Sequence, residues 1–218
     1  TNTYALAAGT ARALVQEGKK TWYFITADYT FGHSLEKDAT EVIKENGGTV
    51  VGVSRHPFPG NDFSSFLLKA QASKADVIAL ANAGNDTVNA VKQANEFGIN
   101  KKQIVAPLLT YISDVHSMGL SKAQGMYLTE AFYWDYDDAS RAWAKKFFEK
   151  AKKMPTASQA GVYSATLSYL KAIEAAGTDD APAVMAKLRE MTINDAVIRN
   201  GKLRADGALV HDMLLLPV

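Results

Sequence analysis

The sequence predicts an α/β fold, doubly wound around a mainly parallel five-stranded sheet, and two observations carry that prediction. Apolar runs rich in β-branched and aromatic residues recur at 22–26, 49–53, 76–81 and 103–107, each followed by a loop and a helical pattern, and a closing run spans 125–132. Most of these runs are apolar throughout rather than alternating with polar residues, as parallel strands covered on both faces are. Such a rhythm implies helices on both faces of the sheet and right-handed crossovers. Ligands of open α/β sheets bind at the carboxyl ends of the strands, so the loops at that edge are the candidate site.

In chain order, Asn2 is placed to cap a first helix with Tyr4, Leu6, Ala7, Ala11, Leu14 and Val15 on its apolar face, ending at Gly18. The strand of residues 22–26 breaks at Ala27-Asp28-Tyr29-Thr30. A helix with Phe31, Leu35, Ala39, Val42 and Ile43 in one stripe follows and stops at Asn46-Gly47-Gly48. Strand 49–53 leads through a Pro/Gly loop, residues 55–62, into the helix of Phe63, Phe66, Leu67 and Ala70. Strand 76–81 gives way to Asn82-Ala83-Gly84-Asn85 and a helix carrying Val88, Val91, Ala94 and Phe97. Strand 103–107 runs into Leu108-Leu109-Thr110-Tyr111 and a short helix. After Trp134 the pattern changes to three successive helices: one capped at 135–138, one at 157–176 ended by Gly177, and one at 181–191. Residues 201–207 and 208–218 read as a hairpin whose last strand rejoins a sheet. The stop at Pro217-Val218 is abrupt, and we expect part of the protein to be missing from both ends.

Composition narrows the function classes. Hydrophobic residues make up 47% and charged residues 22% of 218, a soluble globular balance. With 24 basic against 23 acidic residues, and with Lys145-Lys146 and Lys152-Lys153 reading as a solvated helix face, no nucleic-acid partner is expected. The absence of cysteine excludes disulfides and thiolate chemistry. There is no G-x-G-x-x-G after the first strand, no phosphate-binding G-x-x-x-x-G-K-[ST], no G-x-S-x-G and no H-E-x-x-H. His33, His56, His116 and His211 are scattered, so no metal or cofactor is expected, and Met118, Met126, Met185 and Met191 read as core filler. Asp28 reads as a turn residue bonding nearby backbone rather than as a base. An enzyme is not expected.

The order of elements, together with 27–33 (ADYTFGH), 93–98 (QANEFG), 125–135 (GMYLTEAFYWD) and the Tyr163 helix, resembles the type I periplasmic solute-binding proteins. More narrowly it resembles the branch related to the leucine/isoleucine/valine-binding proteins of ABC importers. The resemblance covers essentially the whole chain. It implies two α/β lobes joined by three crossovers, with residues 1–130 as the second lobe, rejoined by 193–218. Residues 131–192 would then be a crossover and helices of an incomplete first lobe. It also implies a periplasmic protein that captures a small molecule by hinge closure and is recognised by a membrane permease. The full-length protein would be a monomer, and the piece alone could self-associate through uncovered apolar surface.

Departures from the amino-acid binders shape the expected ligand. Phe31 occupies the position of their aromatic residue after the first strand of this lobe. The aromatic after the third strand is replaced by Ala83 or Gly84, and the glutamate that meets an ammonium group is replaced by Leu108. Burying an ammonium without a counter-charge costs several kcal/mol. The expected ligand is therefore an aromatic carboxylate. Phe31 and Trp134 would stack on it, Tyr29 and Tyr133 would stack or donate, and Asn82 or Asn85 would make polar contacts. Ala83, Gly84, Leu108 and Tyr111 would frame the slot. Branched-chain or other amino acids, a sensory module of the same fold and a doubly wound enzyme remain the alternatives.

Overall fold

The computed structural model describes residues 2–218. Asn2 opens α1 (Thr3–Gln16) by accepting the Ala5 amide on its side-chain oxygen at 2.9 Å, the capping expected of it. The chain then builds β1 (Thr21–Ala27), α2 (Thr30–Glu45), β2 (Thr49–His56), α3 (Ser64–Ala72), β3 (Val77–Ala81), α4 (Asn85–Glu96) and β4 (Ile104–Pro107). The four strands are parallel in the order β2-β1-β3-β4.

Alternation along β1 explains why helices lie on both faces. Trp22 and Phe24 point to the side where Leu14 and Val15 of α1 and Leu35 and Val42 of α2 are buried. Tyr23 and Ile25 point to the other, with Leu67 of α3 and Val91 and Ala94 of α4. A period of two therefore divides one apolar run between two cores. The starts of β1 and β3 are tied by Asp76, whose carboxylate accepts the Lys20 and Thr21 amides and the Thr21 hydroxyl at 2.8–2.9 Å. Those bonds, those from Thr21 above all, hold its acid below the ordinary carboxylate range.

Two expectations are corrected. The sheet has four strands rather than five. The fifth run yields only β5 (Tyr127–Glu130), which pairs with β9 (Leu214–Pro217) in a separate two-stranded ladder. Gly125 donates to the Val218 carbonyl and Val218 to that of Met126, each at 3.0 Å. The helical segments between β4 and β5, α5 (Ile112–Met118) and α6 (Leu120–Ala123), lead into that ladder, and β5 docks on α1 through the buried Thr10–Thr129 hydroxyl pair at 2.9 Å.

The second correction concerns the tail. The chain divides into one unit that ends at Glu130 and regains only Leu215–Val218, and another of Ala131–Leu214. The second unit holds α7 (Asp138–Ala151), α8 (Ala157–Ala176), α9 (Ala181–Glu190) and an antiparallel sheet of β6 (Thr192–Ile193), β7 (Gly201–Leu203) and β8 (Leu209–Val210). So residues 193–214 do not rejoin the first unit: their short strands pair with one another. Within α8 the buried stripe is Ala160, Ser164, Ser168 and Ala172. Tyr163 and Leu170 lie outside that stripe and are exposed.

Candidate functional site

The first unit places the loops after β1, β2, β3 and β4 at the carboxyl edge of its sheet. After β1, the Asp28 amide donates to the His56 carbonyl and the Tyr29 amide to that of Ala27, both at 2.8 Å. Gly32 is needed because a Cβ there would lie 2.2 Å from the Ala27 carbonyl oxygen. The turn therefore closes tightly enough to start α2 at Thr30 and to leave Tyr29 exposed. The Tyr29 ring stacks on Phe58 at 4.8 Å between centroids and lies 5.8 Å from Phe31. Phe31 is half-buried against the α2-side core. The Asp28 carboxylate is bonded to the His33 ring at 2.9 Å and lies 4.0 Å from Arg55, so it holds side chains rather than the nearby backbone expected of it.

After β3 the edge is polar and closed. Asn82 is buried: its carbonyl oxygen accepts from the Thr87 hydroxyl at 2.7 Å and its amide donates to Nε2 of His56 at 3.2 Å. His56 in turn donates from Nδ1 to the Pro57 carbonyl at 2.9 Å, an arrangement that fits the neutral Nδ1–H imidazole. Asp86 accepts the Gly60 amide at 3.1 Å on one oxygen. Its other oxygen lies 3.8 Å from His56 Nδ1, without a hydrogen-bond partner among the described residues. Burial, and next the Asp86 charge, raise the pKa of Tyr29. Asn82 thus acts inside the edge, whereas Ala83 and Gly84 are half-buried and Asn85 is exposed. Gly84 takes φ +60°, and a Cβ there would meet nothing within 4 Å, so the space over this loop is open.

After β4, Leu108 turns into the α1/α2-side core and is 2% exposed, so it presents no wall to the edge. This corrects its expected place in the slot: an apolar side chain beside a core is drawn into it. Tyr111 is half-buried, its amide donating to Asp114 at 2.8 Å at the start of α5. At the end of β5, Glu130 is 1% exposed with neither carboxyl oxygen hydrogen-bonded among the described residues. Burial pushes its pKa up to about 8, against the nearby Ile112 amide and helped by the Asp114 charge, so the acid is protonated at neutral pH.

The remaining two expected residues belong to the second unit. Tyr133 and Trp134 have ring centroids 5.8 Å apart, and Trp134 is half-buried against Phe132, Ile193 and Val197. Tyr133 lines a small cleft (≈ 40 Å³) with Tyr136, Arg199 and Asp212. Arg199 is bound there to the Asp137 carboxylate and lies 5.0 Å over the Tyr136 ring. The structure thus brings Tyr29 and Phe31 together in one unit, and Tyr133 and Trp134 in the other. Sequence reasoning missed Phe58, Asp86 and Glu130. Only Glu130 left a signal, as a lone acid inside an apolar run.

Among the described residues, no cluster of His, Asp or Glu could hold a metal ion, and no helix is long and apolar enough to cross a membrane. The chain is similar to a periplasmic binding protein from Burkholderia mallei, at 54% identity and a TM-score of 0.94, over 99% of this chain and 57% of that one. It is also similar to a branched chain amino acid ABC transporter periplasmic ligand-binding protein from Burkholderia xenovorans, at 41% identity and a TM-score of 0.92, over 99% of this chain and 58% of that one. A Leu/Ile/Val-binding protein homolog from Brucella melitensis is 29% identical over 196 residues, 84% of this chain and 49% of the relative. The chain therefore spans about half the length of the curated relatives it matches. Its residues 1–218 match the periplasmic binding protein family throughout, and the chain belongs to that family.

Proposed function

We propose that this chain is part of a periplasmic solute-binding receptor of an ABC importer, and that the receptor captures a small aromatic carboxylate by closing around it. Residues 1–130 with the returning 215–218 are taken as its second lobe. Residues 131–192 are taken as a crossover and helices of the first lobe. A membrane permease is the partner of the closed form, and binding, not chemistry, is the activity.

One observation carries the ligand class. The edge of the first unit offers aromatic surface at exposed Tyr29 and half-buried Phe31, with the small residues Ala83 and Gly84 in the loop after β3. Flat rings gain dispersion and stacking there. Asn85 and Tyr111 complete the proposed lining in this unit, and Tyr133 and Trp134 are the ligand contacts proposed for the second unit. Asn82 supports it from behind through His56 and Thr87. A second reading, an α-amino acid, is favoured by the unpartnered oxygen of Asp86, a carboxylate close enough to Tyr29 to raise its pKa.

The two readings separate in a ligand-induced thermal shift on the full-length protein. Benzoate- and cinnamate-type acids are expected to stabilise it while leucine and valine do not, and Trp134→Ala is expected to diminish the aromatic shift. Stabilisation by leucine alone would reject the aromatic-acid reading and point to Asp86 as the ammonium partner.

A further inference from the structure

We infer that Phe58 is a ligand-stacking residue, the second ring of a preformed platform with Tyr29 that selects planar ligands. This rests on the aromatic-acid reading of the site and adds a residue from a loop that reading did not use. Phe58 stands two residues beyond the end of β2, beside the end of β1, and so at the same edge as Tyr29. The residue is 58% exposed, more than either Phe97 or Phe148, while its ring stacks on Tyr29 at an interplanar angle of 28°. An aromatic ring left in water on a loose loop would be unremarkable. This loop is not loose.

Its backbone is bonded at successive points. The Pro57 carbonyl accepts from His56, the Gly60 amide donates to Asp86, the Asn61 carbonyl accepts Nε2 of Gln93 at 2.9 Å, and the Phe63 amide donates to Oε1 of Gln93 at 2.8 Å. Phe63 itself is fully buried and anchors the far end. Two α4 side chains and a buried histidine therefore hold the segment so that one phenylalanine goes inward and the other outward. A ring fixed outward loses little further entropy when a ligand stacks on it, which is the advantage of a preorganised contact. The exposed ring pair is hydrophobic with a quadrupolar face, and it rewards a flat π-system over a puckered ring of the same charge and size.

The test is equilibrium binding of benzoate and of cyclohexanecarboxylate to the full-length protein and to Phe58→Ala, Phe58→Tyr and Phe97→Ala, each checked for an unchanged melting temperature. Loss of one stacking contact is expected to weaken benzoate by about tenfold in Phe58→Ala. Cyclohexanecarboxylate should change much less, and Phe58→Tyr and Phe97→Ala should behave as wild type. Should Phe58→Ala lower the melting temperature, Gln93→Ala, which frees the loop but keeps the ring, is expected to reduce the benzoate preference in part. Wild-type affinity for benzoate in Phe58→Ala, or in Gln93→Ala where that variant is needed, overturns the stacking role and leaves the aromatic-acid reading standing. A wild-type protein that binds neither benzoate nor cinnamate overturns that reading and the stacking role with it.

Discussion

The two units of the molecule bury their apolar residues to different depths. The largest fully buried side chains, from Leu14 and Trp22 through Ile78 and Leu80 to Leu108, all lie in the first unit. The second unit gathers Phe132, Ala160, Ile193, Val197 and Ile198 into a small cluster, while Val162, Tyr169 and Leu170 of α8 face solvent. A groove of about 810 Å³ runs beside α7 and α8, lined by Trp143, Phe147, Val162 and Tyr163. A sheet covered on both faces is a finished object. Three helices with a short three-stranded ribbon are not, since each helix needs an apolar partner for its stripe. The difference suits the proposal that these helices belong to a lobe whose sheet lies elsewhere in a longer protein.

Substitutions can break or sharpen this contrast. The largest effect is expected from Phe24→Ala, which empties the centre of the first unit and should cost about 3–5 kcal/mol in denaturant unfolding. Its counterpart Leu170→Ser, on the exposed side of α8, should change stability by about 0.5 kcal/mol or less. A similar cost at both positions would mean that the units are equally packed.

Glu130→Gln should act through pH. Because the folded acid is held up at about 8 from 4.5, its proton is bound more tightly in the folded state. Stability from this group is whole below about 4.5 and is lost as pH rises to about 8, the sign expected when the native state binds the extra proton. Glu130→Gln should remove that decline and be more stable than wild type by roughly 3 kcal/mol at neutral pH. Unfolding curves at pH 4 and pH 8 check it. A wild type that keeps its stability between them would place Glu130 in contact with water or a partner charge.

How much of this could be read from the sequence follows from what is local. Helix α8 begins and ends at the expected residues because its signals are local: Thr156 and Gln159 form the capping box and Gly177 takes φ +67°. The split of β1 between two cores is local too, since it needs only the pleat. Strand β5 was overextended because its partner β9 lies far along the chain, and no local pattern records which strand a run will pair with. Leu108 and Asn82 were placed in the site by position alone. Whether a loop side chain turns outward or into a core depends on backbone direction and on partners such as His56 and Thr87. Phe58 was hidden in a Pro/Gly loop without periodicity, and its orientation is set by Asp86 and Gln93, about thirty residues away.

Native-state hydrogen exchange on this 218-residue chain tests the contrast most directly. Amides of β1 and β3 should exchange only through global unfolding, whereas those of α7 and α8 should exchange through local opening at much lower free energy. Equal protection in the two units would contradict it, because the helices would then need no further cover.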